Sequence, residues 1–561
     1  MNERRNPRRR GNKRNRPWHY LVQPTLGFLV VLGLFNAMLN VRYPYEEPPF
    51  WYLVPSSDVL LLCVYLWVMA RLKREVSRWV HVGIVAYLFF VRFLRLADGV
   101  QQTYFAHRFS LYSDLPLLPE AVRFAWSTRS VLQFVTGGIA IVVLLVGLAY
   151  LCYRALRYAE NYLRDQRQGY MAAGIFAIAY VAVAAHTPEA GYEHLYDGGF
   201  AESSVPRIKD EVDFFLSVYD QNAEHTQLIN QTQQILRDIP HDLAKLGRAD
   251  VYLILVESYG RTMFERPEHV AASQSAFAEF ERVVGHNGFV IATGLLNSST
   301  YGGGSWLAHA TLNTAISTGN QLEYDVLFAK KPKPLARFFR EAGYLTVLAQ
   351  PGTTRDSPQG DFYAFQRKYY AWHYDYQGPT YGWATMPDQY ILDFVRRREI
   401  DAKKQPLFLE YVLVSSHAPW NALPGLVDDW SAIGNGKIFH DVPTRYWSIE
   451  WPNFDNATEA YNQSIVYDFE ILKRYITKFV HDGSLVIILG DHQPVAAVNG
   501  NSAERGVPIH VLSRNPELVK PFFSRGYVAG MRPRLDGYIQ GLETFMPNFL
   551  VDFSTPKPLP Q

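Results

Sequence analysis

Five apolar segments precede residue 190, near 19–40, 53–70, 80–96, 130–152 and 169–186. Each approaches the ~20 residues that an α-helix needs to cross a bilayer, the second and third being short and the fifth rich in alanine. This crowding predicts a five-helix transmembrane domain over 18–187. The first segment is too long for the core of a cleavable leader, and no small-residue cleavage site follows before Tyr43-Pro44.

Loop charge sets the expected orientation. Residues 1–17 form a tail with seven arginines and Lys13 against Glu3, too polar to fold alone. Such a tail is solvated or lies against anionic headgroups of the inner leaflet. Arg71, Lys73, Arg74 and Arg78 follow the second segment, and Arg154, Arg157, Arg164 and Arg167 follow the fourth. The intervening loops carry Glu46, Glu47, Asp98, Asp114 and Glu120. Positive loops stay inside, so the N-terminus is expected in the cytoplasm and everything after residue 187 outside. Arg92 and Arg95, near the outer end of the third segment, are expected to snorkel to the interface or to hold a phosphate headgroup.

Composition removes several classes. A net charge of +2 gives no sign of a nucleic-acid partner. Only Cys63 and Cys152 occur, both in apolar runs, so neither a disulfide framework nor a thiolate metal site is expected outside the membrane.

Residues 188–248 read as a helical linker, punctuated by Pro206 and Pro240 and expected to lie on the membrane surface. From 249 to 561 strands and helices alternate. The strand runs are "VYLILV" (251–256), "LTVLAQ" (345–350), "LFLEYVLV" (407–414), "SLVIIL" (484–489) and "VPIHVL" (507–512). That pattern predicts an α/β domain with a largely parallel, buried sheet, whose ligand site lies at the carboxyl ends of the strands.

Polar residues fall at those ends. Glu257 follows the first run, Asp491 and His492 the fourth, and His417 the third. Ser305 opens a helix after Gly302-Gly303-Gly304. Glycines let backbone approach a phosphate, and a helix N-terminus favours an anion. A serine hydroxyl is a weak nucleophile until a metal or a base activates it. Glu257, Ser305, Asp491 and His492 together suit one divalent ion, Zn or Mn.

With these motifs the sequence resembles the lipoteichoic acid synthase and phosphoethanolamine transferase family, membrane-anchored sulfatase-like enzymes of the alkaline phosphatase superfamily. "VYLILVES" and "VIILGDHQP" match its metal-ligand motifs, implying ligation by Glu257, Asp491 and His492. Ser305 stands at the nucleophile position, where well-known members carry threonine. "VSSHAPW" implies that His417 contacts the substrate phosphate, and "YAFQRKYYAW" implies the same for Arg367, with Phe365 or Tyr363 beside it. The resemblance implies transfer of a phospho-headgroup from a membrane phospholipid to an envelope glycan or lipid acceptor. The route would be a covalent Ser305 intermediate with release of diacylglycerol, in a bacterial inner membrane with the catalytic domain periplasmic. Partner proteins of a glycan-synthesis system fit such a role.

Two departures bear on the donor. Phosphoethanolamine transferases usually carry several disulfides in the outer domain, and their usual histidine before the final strand is replaced here by Arg505-Gly506. Both lean toward phosphoglycerol. The competing readings are a hydrolase on the same scaffold (phosphatase, phosphodiesterase or sulfatase) and a non-catalytic lipid sensor. "SWLAHA" lacks the proline and arginine that mark the serine of a formylglycine sulfatase.

Overall fold

The computed structural model describes residues 19–41, 56–105, 107–119, 122, 131–165, 167–172, 174, 196–197, 200–201, 204–354, 359–449, 456–500 and 504–556. The chain forms two compact units. One comprises 1–100 and 130–213, the other 101–129 and 214–561.

In the first unit lie α1 (His19–Asn40), α2 (Ser57–Arg71), α3 (Arg78–Phe105) and α4 (Val131–Arg164). Among the described residues, three stretches are long and apolar enough to cross a membrane: Val22–Asn40, Arg78–Thr103 and Leu132–Arg164. The second expected segment forms α2, of only 15 residues. The fifth, 169–186, falls largely outside the described residues. Phe28, Phe35, Leu66, Leu88 and Leu156 are buried between the helices. Val143, Leu144 and Val146 of α4 instead stand 66, 68 and 65 % exposed. An apolar patch of that kind suits lipid and not water.

The arginines of α3 engage the end of α1. Arg92 donates to the carbonyls of Ala37 and Val41, and Arg95 to that of Leu39 (3.0 Å). Ala37 and Leu39 lie in the last turn of α1 and Val41 follows it, at a helix end where carbonyls run short of helical partners. Both guanidiniums therefore close a helix end, and Arg95 is buried.

α5 (Ser204–Asp238) is one continuous helix. Pro206 falls in its first turn, where a missing N–H costs nothing, and Pro240 lies past its end.

The second unit is built on a sheet of nine strands. They are β1 (Val251–Val256), β2 (Val290–Asn297), β3 (Leu345–Gln350), β4 (Arg367–Tyr370), β5 (Leu407–Leu413), β6 (Leu485–Gly490), β7 (Gly506–Ser513), β8 (Val528–Ala529) and β9 (Gln540–Gly541). The order is β8-β2-β7-β6-β1-β5-β3-β4, with β9 beside β2. Neighbours from β6 to β4 are parallel. Every residue of β1, β5, β6 and β7 is buried, as continuous apolar runs require when both faces are covered.

The five expected strands are present within a residue of their predicted ends, but β7 runs antiparallel to both β6 and β2. β2, β4, β8 and β9 were not anticipated. Gly294 interrupts β2, and a Cβ there would come within 2.8 Å of the Tyr527 ring, so a close ring approach explains a glycine that weakens the strand signal. β4, "RKYY", is a short edge strand. The sheet is flanked by α6 (Pro267–His286), α7 (Ser305–Thr314), α8 (Asp388–Val395) and α9 (Thr458–Phe479). α6 and α9 are joined by the His269 Nδ1 to Asn462 Oδ1 bond (2.7 Å) and by Phe277 against Phe469.

Candidate metal and phosphate site

Strand register builds the site. Val256 of β1 pairs with Gly490 of β6 on one side and Leu413 of β5 on the other. Three parallel strands thus end flush, and Glu257, Asp491 and the Val414–His417 turn leave the sheet at one level. Gly490 is required there: a Cβ would meet the Tyr259 carbonyl at 1.8 Å. Ser258 takes a left-handed backbone (φ 58), which turns its amide toward Asp491 Oδ1 at 2.8 Å.

Asp491 Oδ1 also accepts the His492 amide (2.7 Å). Its Oδ2 is buried without a hydrogen-bond partner, 3.7 Å from His492 Nε2. His492 Nδ1 bonds to the Gln493 carbonyl (2.8 Å), so the ring presents Nε2 to the site. That nitrogen is 3.1 Å from Glu257 Oε1 and 3.1 Å from Ser305 Oγ. Ser305 Oγ donates to Glu257 Oε2 at 3.0 Å.

Gly304, at φ 75, is the N-cap of α7 and offers no side chain, so no side-chain cap engages the first-turn amides above Ser305. Gly302 N–H bonds to the Gln493 carbonyl (3.0 Å), fastening the glycine run to the Asp491-His492 loop.

Charge here is tightly matched. Burial pushes Glu257 up, but His492, His417 and hydrogen bonds from His492 and Ser305 outweigh it and hold the carboxyl well below the usual carboxylate range. Burial pushes His492 down, but Asp491 and Glu257 overcome it and raise the imidazole to about 9. Two buried carboxylates thus draw positive charge to this point. Potential ligand atoms of Glu257, Asp491 and His492 lie within 4.8 Å of one another. With the unpartnered Asp491 Oδ2, the donor set fits a divalent ion.

Residues 250–508 match the sulfatase family model. The second unit therefore carries a sulfatase-family domain. No curated protein matches the chain. Solved structures similar to it include the lipoteichoic acid synthase LtaP from Listeria monocytogenes. That match has 14 % identity and TM-score 0.33, covering 55 % of this chain and 75 % of that one. Another is the Streptococcus pyogenes phosphoglycerol transferase GacH in complex with sn-glycerol-1-phosphate (12 %, TM-score 0.32, 60 % and 91 %). A third is the C-terminal periplasmic domain of EcEptC from Escherichia coli in complex with Zn (12 %, TM-score 0.31, 49 % and 73 %).

Within the sulfatase-family domain, Glu257, Ser305, Asp491 and His492 are brought together as expected from the sequence. His417 joins their surroundings, near enough to Glu257 to help hold its charge. Its ring stacks on Trp383 at 3.7 Å and 8°. Arg367, Phe365 and Tyr363 are engaged elsewhere. Arg367 pairs with Glu399 at the start of the edge strand, with Val347 as its register partner, three residues short of the carboxyl end of β3 at Gln350. Phe365 is buried against Phe408, with ring centroids 6.0 Å apart. Tyr363 packs on Phe362. A motif match aligned these residues in sequence, but Arg367 begins β4 at the opposite end from the site, and Phe365 and Tyr363 precede that strand.

The domain also uses residues that the sequence reading passed over. His309 Nε2 approaches Asp491 Oδ2 at 3.7 Å. Asn313 Nδ2 donates to Glu410 Oε1 (3.1 Å), and Glu410 is pushed up to about 7 by burial, moderated by His309 and Asn313. Both had a signal. His309 is four residues beyond Ser305, hence on the same helical face. Glu410 interrupts an otherwise apolar strand.

Proposed function

We propose that the protein transfers a phospho-headgroup, phosphoglycerol or phosphoethanolamine, from a membrane phospholipid to an envelope glycan or lipid acceptor. The observation that carries this reading is the Ser305 hydroxyl. It lies 3.0 Å from Glu257 Oε2 and 3.1 Å from His492 Nε2, at the N-terminus of a helix with no side-chain cap.

In the first step Ser305 Oγ forms a bond to phosphorus as the bond from phosphorus to the diacylglycerol oxygen breaks. Glu257 Oε2, the present acceptor of the hydroxyl proton, takes it and passes it to the diacylglycerol oxygen as that group leaves. In the second step an acceptor hydroxyl oxygen bonds to phosphorus and the Oγ–phosphorus bond breaks, returning a proton to Ser305. The first-turn amides of α7 and the His417 imidazole are suited to the phosphate oxygens. Held by Glu257, Asp491, His492 and Ser305, a Zn or Mn ion would lower the pKa of the hydroxyl and offset phosphate charge.

One phosphodiester is exchanged for another, so no nucleotide is needed outside the cytoplasm. Five membrane helices with the N-terminus inside, and residues 249–561 in the periplasm, would keep the site at high effective concentration of lipid. The match to the sulfatase family supports a second reading, hydrolysis of a phosphate or sulfate ester. The test uses detergent-purified full-length protein with fluorescent phosphatidylglycerol and phosphatidylethanolamine. Diacylglycerol release and an adduct of headgroup-phosphate mass on Ser305 are expected, with phosphatidylglycerol preferred. Release from neither lipid, alongside cleavage of a soluble ester, would replace transfer with hydrolysis.

A further inference from the structure

Two carboxyls meet behind the turn that carries His417. Asp388 opens α8 and Asp468 lies mid-way along α9, and both are fully buried. Asp388 accepts the Val414 amide through both oxygens (3.0 Å each) and the Ser415 amide at 2.7 Å. The same turn is closed by His417 N–H to the Val414 carbonyl (3.1 Å) and by Trp420 Nε1 to the Ser416 carbonyl (2.6 Å). Asp468 faces Asp388 and the Ser416 hydroxyl, and no N–H donor reaches either of its oxygens. The other ionisable groups facing the pair are the phenols of Tyr467 and Tyr374. The groups that act most strongly on the two acids are each other, the Ser415 and Ser416 hydroxyls and the Val414 and Ser415 amides, and none of these is a cation.

Two carboxylates in contact, buried and without a cation, cannot both ionise. Two backbone amides, one of them shared between both oxygens, stabilise an anion on Asp388, while Asp468 has no such donors, so the proton belongs on Asp468. We propose that Asp468 is a neutral carboxylic acid whose proton bonds to Asp388, and that this shared proton latches the Val414–His417 turn. Asp388 and Asp468 are then positioning residues acting through His417. Burial raises both carboxyls, and the neighbouring Asp388 raises Asp468 further. When the proton leaves at alkaline pH, two buried anions repel, the turn loosens, and His417 moves off its phosphate. The proposal rests on the reading of His417 as a phosphate contact.

The test uses full-length protein in detergent. Infrared difference spectra at neutral pH, wild type minus Asp468→Asn, should contain the C=O stretch of a protonated carboxylic acid. Binding of inorganic phosphate should fall more steeply with rising pH in wild type than in Asp468→Asn, whose amide donates an N–H that does not titrate. Asp468→Ala should weaken phosphate binding about tenfold, and Asp468→Asn should restore it to within about threefold. If Asp468→Ala fails to fold, wild type and Asp468→Asn decide between them. Absence of the acid band, or parallel pH curves for wild type and Asp468→Asn, overturns the latch. Absence of lipid turnover in wild type with divergent curves leaves the latch standing and removes the transfer reading alone.

Discussion

At Glu257 and Asp491, two buried carboxylates share their surroundings with the His492 imidazole; at Asp388 and Asp468, two buried carboxyls meet, and no cation is among the groups that act most strongly on them. Burial raises both Glu257 and Asp468, yet Glu257 is held low and Asp468 is pushed up. Burial therefore does not decide the charge of an acid. What decides it is whether cations and N–H donors surround it. The first arrangement draws positive charge, and the second, on our proposal, keeps a proton.

Ser305→Ala should have the largest effect, lowering turnover by more than about a thousandfold while leaving the helices folded, since it removes the attacking oxygen. Circular dichroism together with lipid turnover checks this, and wild-type turnover in the variant would reduce Ser305 to a helix-end residue. Next, Glu257→Ala, Asp491→Ala and His492→Ala should each lose bound metal, whereas Asp468→Asn should keep it. Elemental analysis of the purified proteins would break the comparison if all four behaved alike.

Glu410 offers a finer probe, because it lies between the two kinds of site in character: buried, with one amide donor and His309 nearby. Its native pKa is raised from 4.5 to about 7. The native state then keeps a proton that the unfolded chain has released, so stability is full below the unfolded pKa and falls as pH rises toward 7. The shift corresponds to roughly 3 kcal/mol. Glu410→Gln should flatten that slope in thermal unfolding between acidic and neutral pH, and an unchanged slope would mean that Glu410 ionises freely. The smallest effect is expected from Arg367→Ala. Its guanidinium is half exposed and paired with Glu399, and such a pair contributes about 1 kcal/mol or less. Turnover should stay within about threefold, and a loss beyond about a hundredfold would bring Arg367 back to the substrate.

The strand ends of the second unit were legible because parallel strands buried on both faces read as unbroken apolar runs, and Glu257, Asp491 and the turn to His417 follow three of those runs. Ser305 was legible through its glycines, which leave a helix start open to an anion. The short edge strand β4 and the glycine-broken β2 were not, since neither carries a continuous apolar pattern. Arg367 shows the limit of motif spacing: sequence placed it beside aromatic residues, but register puts it at the start of its strand.

By itself, then, the sequence determined the apolar helices, the alternation of strand and helix, and the chemical types in the site, all of which depend on local periodicity and on which residue follows a strand. Only the tertiary structure decided the rest. It set β1, β5 and β6 flush, turned Asp491 Oδ2 inward without a partner, brought His309 toward it, and pressed Asp468 against Asp388 across 80 residues of chain. The physical reason is that the charge state of a buried group depends on neighbours contributed by other elements, and no local pattern in the chain records who those neighbours are.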